Sequence, residues 1–172
     1  QGPERIRKNA NLLLHTCYPE TCSHWDIPRA LRDCGVGHRV YFTYSCMACG
    51  AAFPSLYRDA VAPCGNCGNK AARMPDPGRG VSRKELAMIY NMMDLYVQYA
   101  LCEGQGLSQA EAAACGIPIM ATDYSGMSDV VRKLEGFPIR VQRYIREAET
   151  HRLFAYPDED DFINKAIRIL IA

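Results

Sequence analysis

The chain has 172 residues, a formal net charge of +1 and 48% hydrophobic residues. This length allows one domain with a buried core, and the composition is that of a globular protein rather than a disordered or fibrous one. The near-zero net charge does not favour nucleic acid or an anionic membrane as a partner, and no apolar run reaches the roughly 20 residues that span a bilayer.

The first half of the chain carries clear helix and strand signals. Residues 1–3 resemble the remnant of a cleavable tag, and residues 4–9 read as the tail of a helix. A run of three leucines predicts a strand over residues 11–16. Asp26 is a predicted N-cap, because proline follows it within the first turn, and glycine should end that helix after Cys34. The next predicted strand covers residues 39–43.

Strands and helices alternate again after an irregular stretch. Ser82 and Glu85 have the spacing of a capping box and predict a helix through Asn91. Further strands are predicted over residues 94–99, 117–122 and 137–141, and further helices over residues 108–116, 125–134 and from 157 onward. This alternation predicts a parallel α/β sheet.

The irregular stretch, residues 46–79, contains two C-x2-C pairs. The four cysteines are Cys46, Cys49, Cys64 and Cys67, with fourteen residues between the pairs and a glycine after each pair. Two such knuckles supply four thiolates, the ligand set of a structural zinc ribbon. An iron–sulfur cluster or two redox pairs are less suited to this spacing. We expect zinc to fold the insert; a docking surface for a partner or acceptor is the alternative, and nucleic acid is not favoured because basic residues are few.

The other cysteines point to a reducing environment. Nine cysteines, several of them within predicted helices, do not form the pattern of a secreted disulfide framework. We therefore predict a cytoplasmic protein in which Cys34, Cys102 and Cys115 are buried thiols. His15, Cys17, Cys22 and His24 allow a second metal site, but their spacing is loose and a structural role for His15 is preferred.

Two glutamates bracket a glycine turn in the second half. Glu103-Gly104-Gln105-Gly106-Leu107 is followed by Glu111 and then by Cys115-Gly116-Ile117-Pro118. The surrounding pattern is strand, loop, helix, strand, and in open parallel sheets ligands bind at such loops beyond the carboxyl ends of the strands. Glycines let a ligand approach the backbone, and a helix start can receive phosphate.

This segment resembles the E-x7-E motif of retaining glycosyltransferases of the GT-B fold, family 4. It departs from the family at Gln105, where phenylalanine is usual, and at Ala113, where methionine is common. The resemblance is dense over residues 80–135. It implies a Rossmann-like nucleotide-sugar-binding domain made of residues 4–45 and 80–172, whose first strand lies outside this chain. It also implies a missing amino-terminal domain, so that the chain alone is expected to show no turnover.

The resemblance also implies roles for the motif residues. Glu103 is the catalytic candidate, near the sugar of a nucleotide diphosphate sugar donor, and Glu111 would bind the ribose. Gly104, Gln105, Gly106 and Leu107 would present backbone groups to the sugar and the β-phosphate, and the transfer to an unknown acceptor needs no metal. Each glutamate also has a purely structural alternative: Glu103 could anchor the loop, and Glu111 could form a capping box with Ser108.

The alternative hypothesis is that the chain is a binding module rather than part of an enzyme. The chain could be an inactive transferase-like binding module whose zinc ribbon recruits a protein or nucleic acid. Binding of a nucleotide sugar would separate this alternative from the transferase.

Overall fold

The structure is a computed structural model that describes residues 2–18, 26–58, 61–76, 78 and 80–171. The α-helices in these ranges are α1 (Gly2–Asn9), α2 (Ile27–Asp33), α3 (Arg83–Tyr90), α4 (Leu107–Ala114), α5 (Ser125–Lys133) and α6 (Glu159–Ile171). The strands are β1 (Leu12–Leu14), β2 (Val40–Cys46), β3 (Ala52–Leu56), β4 (Val61–Ala62), β5 (Ala72–Arg73), β6 (Tyr96–Gln98), β7 (Ile119–Thr122), β8 (Phe137–Ile139), β9 (Val141–Arg146) and β10 (Leu153–Pro157).

The chain divides into two compact units. One contains residues 1–8 and 90–172, and the other contains residues 9–89. The assignment of residues 4–45 and 80–172 to one nucleotide-sugar-binding domain, with 46–79 as its insert, stays a prediction.

The unit that contains residues 90–172 is built on a parallel sheet of order β6-β7-β8. All four residues of β7 are buried, as expected for a central parallel strand covered on both faces. Helices α4 and α5 both pack against β7. The predicted α/β fold with a parallel sheet flanked by helices is therefore confirmed. The sequence did not indicate the antiparallel pair β9–β10, which follows the sheet.

Strand β2 is the centre of the other unit. It pairs in parallel with β1 and antiparallel with β3 and β5. Alternate residues Val40, Phe42, Tyr44 and Cys46 are buried on one face of β2 and share a core with Cys64. A strand predicted for the α/β fold thus ends directly at a cysteine of the ribbon.

Local signals placed most helix starts correctly. The Ser82 Oγ accepts from the Glu85 backbone N–H at 3.2 Å, and Glu85 Oε2 accepts from the Ser82 N–H at 2.8 Å, which confirms the capping box. Asp26 caps α2 through the N–H of Arg29, also as predicted.

The expected burial of Cys34 and Cys102 was wrong, because both thiols are exposed. Over the described ranges, no helix is both long and apolar enough to cross a membrane.

Candidate functional site

The Glu103–Gly106 loop follows β6 and leads directly into α4 at the carboxyl edge of the parallel sheet. Glu103 is half-buried. Its Oε1 accepts from the Gly104 backbone N–H at 2.8 Å, and its Oε2 accepts from Gln98 Nε2 at 3.0 Å. Two donors therefore fix the plane of this carboxylate.

The first two residues of α5 anchor the same loop. Ser125 Oγ and the Gly126 backbone N–H donate to the Glu103 carbonyl at 2.8 and 3.1 Å. A Cβ on Gly126 would lie 2.3 Å from the Gly104 carbonyl oxygen, so only glycine allows this approach. Ser125 has a φ of 55°, a left-handed conformation that a serine adopts only when its surroundings require it.

Glu111 lies on α4 with an exposed side chain. Its Oε2 accepts from the Tyr90 hydroxyl at 2.9 Å. Helix α4 begins one residue earlier than predicted, with Gly106 as a left-handed N-cap and no side-chain cap bond. The alternative that Glu111 forms a capping box with Ser108 is therefore wrong, and the carboxylate is held by a tyrosine from outside the helix.

The charges of Glu103 and Glu111 both affect the pKa of one phenol, that of Tyr96. Burial raises the pKa of Tyr96, and the charges of Glu103 and Glu111 raise it further. Burial and then the hydrogen bond to Glu111 likewise raise the pKa of Tyr90. Both phenols therefore stay protonated near neutral pH, and Tyr90 remains a donor to Glu111.

Three of the four other predicted donor-binding residues are open to solvent or leave free space around them. Gln105 is exposed, Leu107 is 65% exposed, and a Cβ on Gly104 would meet nothing within 4 Å. Gly106 is buried, and its φ of 67° needs a residue that tolerates the left-handed region. The structure thus leaves space above Gly104, while the assignment of these residues to donor binding stays a prediction.

Buried polar atoms without a partner gather at this edge. Across the described ranges they are Gln98 Oε1, Gln109 Nε2, Gln109 Oε1 and Thr122 Oγ1. None of these residues was predicted from the sequence as part of a site, although a glutamine that ends an apolar strand is a signal that could have identified Gln98.

The four ribbon cysteines meet at one point. Their Sγ atoms all lie within 4.8 Å of one another, and Cys46–Cys67 and Cys49–Cys64 are each 3.7 Å apart. A tetrahedron of sulfurs about 2.3 Å from an ion has edges of about 3.8 Å, so these distances fit a tetrathiolate metal centre. They are far longer than the roughly 2.05 Å of a disulfide. The four cysteines can therefore hold one metal ion.

Backbone groups and one side chain support the sulfurs. The N–H groups of Ala48 and Asn66 donate to Cys46 Sγ at 3.4 Å and Cys64 Sγ at 3.3 Å. Gly50 and Gly68 have φ of 69° and 71°, which close the two knuckle turns. Hydrogen bonds, first from the Ala51 backbone and then from Asn66, lower the pKa of Cys49 to about 6, whereas burial and the three neighbouring cysteines raise the pKa of Cys67. A thiolate at neutral pH is the form that binds a metal.

His15 has a structural partner. Its Nδ1 lies 2.7 Å from Thr43 Oγ1, and burial lowers its pKa. Cys22 and His24, the other candidates for a second metal site, lie outside the described residues.

Asp123, directly after β7, binds side chains from both the first and the last turn of α5. Its Oδ1 accepts from Arg132 Nε at 3.0 Å and from Ser128 Oγ at 2.7 Å. The Arg132 hydrogen bond is the main reason why the pKa of Asp123 is lowered. A lowered pKa stabilises the fold above the unfolded value of about 4, and this contribution is lost as pH falls through the lower folded value.

We therefore expect Arg132→Gln to make unfolding less sensitive to acid below about pH 4, and to change stability only slightly at neutral pH because Arg132 is largely exposed. Melting temperatures measured between neutral and acidic pH test this. Lys133→Gln, at the exposed neighbouring position, is the control and should leave the acid slope unchanged. Equal slopes for Arg132→Gln and the unmodified chain would contradict the role of this pair.

Comparison with known families gives one match. The model of the family described as glycosyl transferases group 1 matches residues 79–171, more than half of the chain. No curated protein and no solved structure matches.

Proposed function

Because the chain belongs to the group 1 glycosyl transferases, we propose that it binds the nucleotide diphosphate sugar donor of a retaining sugar transfer. The observation that carries this proposal is the carboxyl edge of the parallel sheet, where Glu103 accepts from Gln98 Nε2 and the Gly104 N–H, and Glu111 accepts from the Tyr90 hydroxyl. Open α/β sheets bind ligands at this edge. The family match does not favour the alternative of an inactive binding module.

Each glutamate would have a separate task. The exposed Glu111 would accept hydrogen bonds from the ribose hydroxyls, and a carboxylate suits this because it can accept several donors. Glu103 would face the sugar, with its carboxylate held in one orientation. The open space above Gly104 and the start of α4 would receive the sugar and the β-phosphate, since free N–H groups at a helix start favour anions.

The acceptor would be bound mainly by a separate amino-terminal domain, which in the GT-B arrangement forms the other side of the cleft. We propose a cytoplasmic setting, because a reducing compartment keeps the free thiols of this chain reduced.

We propose zinc as the metal of the tetrathiolate site. Closed four-cysteine sites with sulfur spacing of this kind favour zinc and leave no open coordination position. The ion would supply folding energy to the ribbon and would take no part in the transfer.

A panel of UDP, GDP and ADP sugars in a thermal-shift assay and calorimetry tests donor binding. In the variant Glu111→Gln, we expect nucleotide affinity to fall by about tenfold or more, because a charged acceptor for the ribose is lost. The melting temperature should change little, since the glutamine oxygen can still accept from Tyr90 and Glu111 does not cap α4.

Glu149→Gln, in an exposed turn between β9 and β10, is the matched control for loss of one carboxylate. Unchanged nucleotide affinity in Glu111→Gln would reject the ribose-binding role. No binding of any nucleotide or nucleotide sugar by the unmodified chain would reject the proposed function as a whole.

A further inference from the structure

Gln98 is a polar residue at the end of an otherwise apolar strand. Its Nε2 donates to Glu103 Oε2 at 3.0 Å, while its Oε1 is buried and has no partner within the described ranges. Leaving a buried amide oxygen unpaired costs stability, so an apolar side chain of similar size would serve the fold better. The contact with Glu103 is the evident reason for glutamine at this position.

The loop does not need Gln98 as an anchor. Ser125 and Gly126 already hold the Glu103 carbonyl with two hydrogen bonds. The bond from Gln98 acts instead on the side chain, where it joins the bond from the Gly104 N–H. Its specific effect is therefore on the orientation of the carboxylate.

Two further buried polar side chains lie at the same carboxyl edge of the parallel sheet, at positions where the fold would tolerate apolar residues. Gln109 is fully buried in the first turn of α4, and both of its amide atoms are without a partner in the part of the chain that the structure describes. Thr122, at the end of β7, also has an unpartnered buried hydroxyl. Unpaired polar atoms that cluster in one place indicate a functional constraint on that place, since a fold alone would remove them.

We infer that Gln98 is a positioning residue that fixes the Glu103 carboxylate toward the sugar of the donor. This inference rests on the proposed function. A neutral amide suits the task, because it donates an N–H to the carboxylate without neutralising its charge as a lysine would.

Two variants test the assignment, each with two probes: the nucleotide sugar that gives the largest thermal shift, and the corresponding nucleoside diphosphate. Gln98→Met keeps the size of the side chain and removes the hydrogen bond. We expect its affinity for the nucleotide sugar to fall by about tenfold, since a charge-assisted hydrogen bond no longer orients Glu103. Affinity for the nucleoside diphosphate should be unchanged, and the melting temperature should be equal or higher.

Gln98→Glu provides a readout that a structural role would not change. Two adjacent carboxylates retain a shared proton to a higher pH than one alone, so this variant should bind the nucleotide sugar well near about pH 5 and weakly near about pH 8. The unmodified chain should show no such decline. Tyr96, the neighbouring phenol that Glu103 affects, stays neutral over this range because burial raises its pKa.

Equal weakening for both probes, or no weakening in Gln98→Met, would overturn the assignment while leaving donor binding intact. A pH-independent affinity in Gln98→Glu would also overturn it. If the unmodified chain binds neither probe, the proposed function itself fails, and the role of Gln98 fails with it.

Discussion

Replacing Cys64 with serine is expected to unfold most of the unit formed by residues 9–89, beyond the ribbon itself. Cys64 is 3% exposed and lies in one core cluster with Phe42 and Tyr44 of β2. Structural zinc contributes roughly 10–16 kcal/mol in small zinc domains, which is as large as the roughly 5–15 kcal/mol total stability of a typical domain. Loss of the proposed zinc ion would therefore remove more free energy than this unit can spare.

Elemental analysis and hydrogen exchange measure this effect. The unmodified chain should contain one zinc per molecule, and Cys64→Ser should contain none. Amides of Val40–Cys46 should lose protection, while those of Ile119–Thr122, in the other unit, should keep theirs. Cys34→Ser, at an exposed thiol in the same unit as the ribbon, should keep both the zinc and the protection. Retained protection in Cys64→Ser, or bound iron with charge-transfer colour, would contradict the assignment.

Replacing Glu103 with glutamine is expected to lower turnover by about 10²-fold or more, in an enzyme that joins this chain to the amino-terminal domain proposed above. Glutamine keeps the shape of the side chain but loses the charge that would face the sugar. Affinity for the nucleoside diphosphate should remain nearly constant, because the ribose is assigned to Glu111. The stability should also hold, since the Ser125 and Gly126 bonds to the Glu103 carbonyl do not involve the side chain.

Turnover and nucleotide affinity are measured together for Glu103→Gln and for the control Glu149→Gln. If Glu103→Gln turns over as fast as the control, Glu103 has no catalytic role. A parallel loss of nucleotide affinity would instead place Glu103 near the phosphates or the ribose.

Structural features with a short, recognisable sequence pattern were predicted correctly. The Ser82–Glu85 capping box and the Asp26 N-cap are interactions over three residues, and both form. The two C-x2-C pairs also predicted correctly that four sulfurs meet. The two caps need no distant partner. The cysteine pairs meet across up to 21 positions, but each pair is recognisable by its own knuckle spacing.

Contacts between residues that are distant in the chain and share no sequence pattern could not be predicted. Tyr90 binds Glu111 across 21 positions, and Ser125 binds the Glu103 carbonyl across 22. The left-handed Gly106 ends the loop and begins α4, so Ser108 lies within the helix and cannot cap it. The β9–β10 pair was missed because Val141–Arg146 is mostly exposed and lacks the apolar alternation of a strand that faces a core.

The cysteine at the end of β2 has a consequence for strand pairing. Because side chains alternate along a strand, sliding β2 by one residue against β1 or β3 would exchange its two faces and put Tyr41 and Thr43 where Phe42 and Tyr44 now pack. A metal ion held by the four cysteines would fix Cys46 at one end of the strand, so such a slip would also pull a ligand away from it. A bound ion would therefore act as a register lock that reinforces the alignment of β2 already favoured by the burial of its side chains.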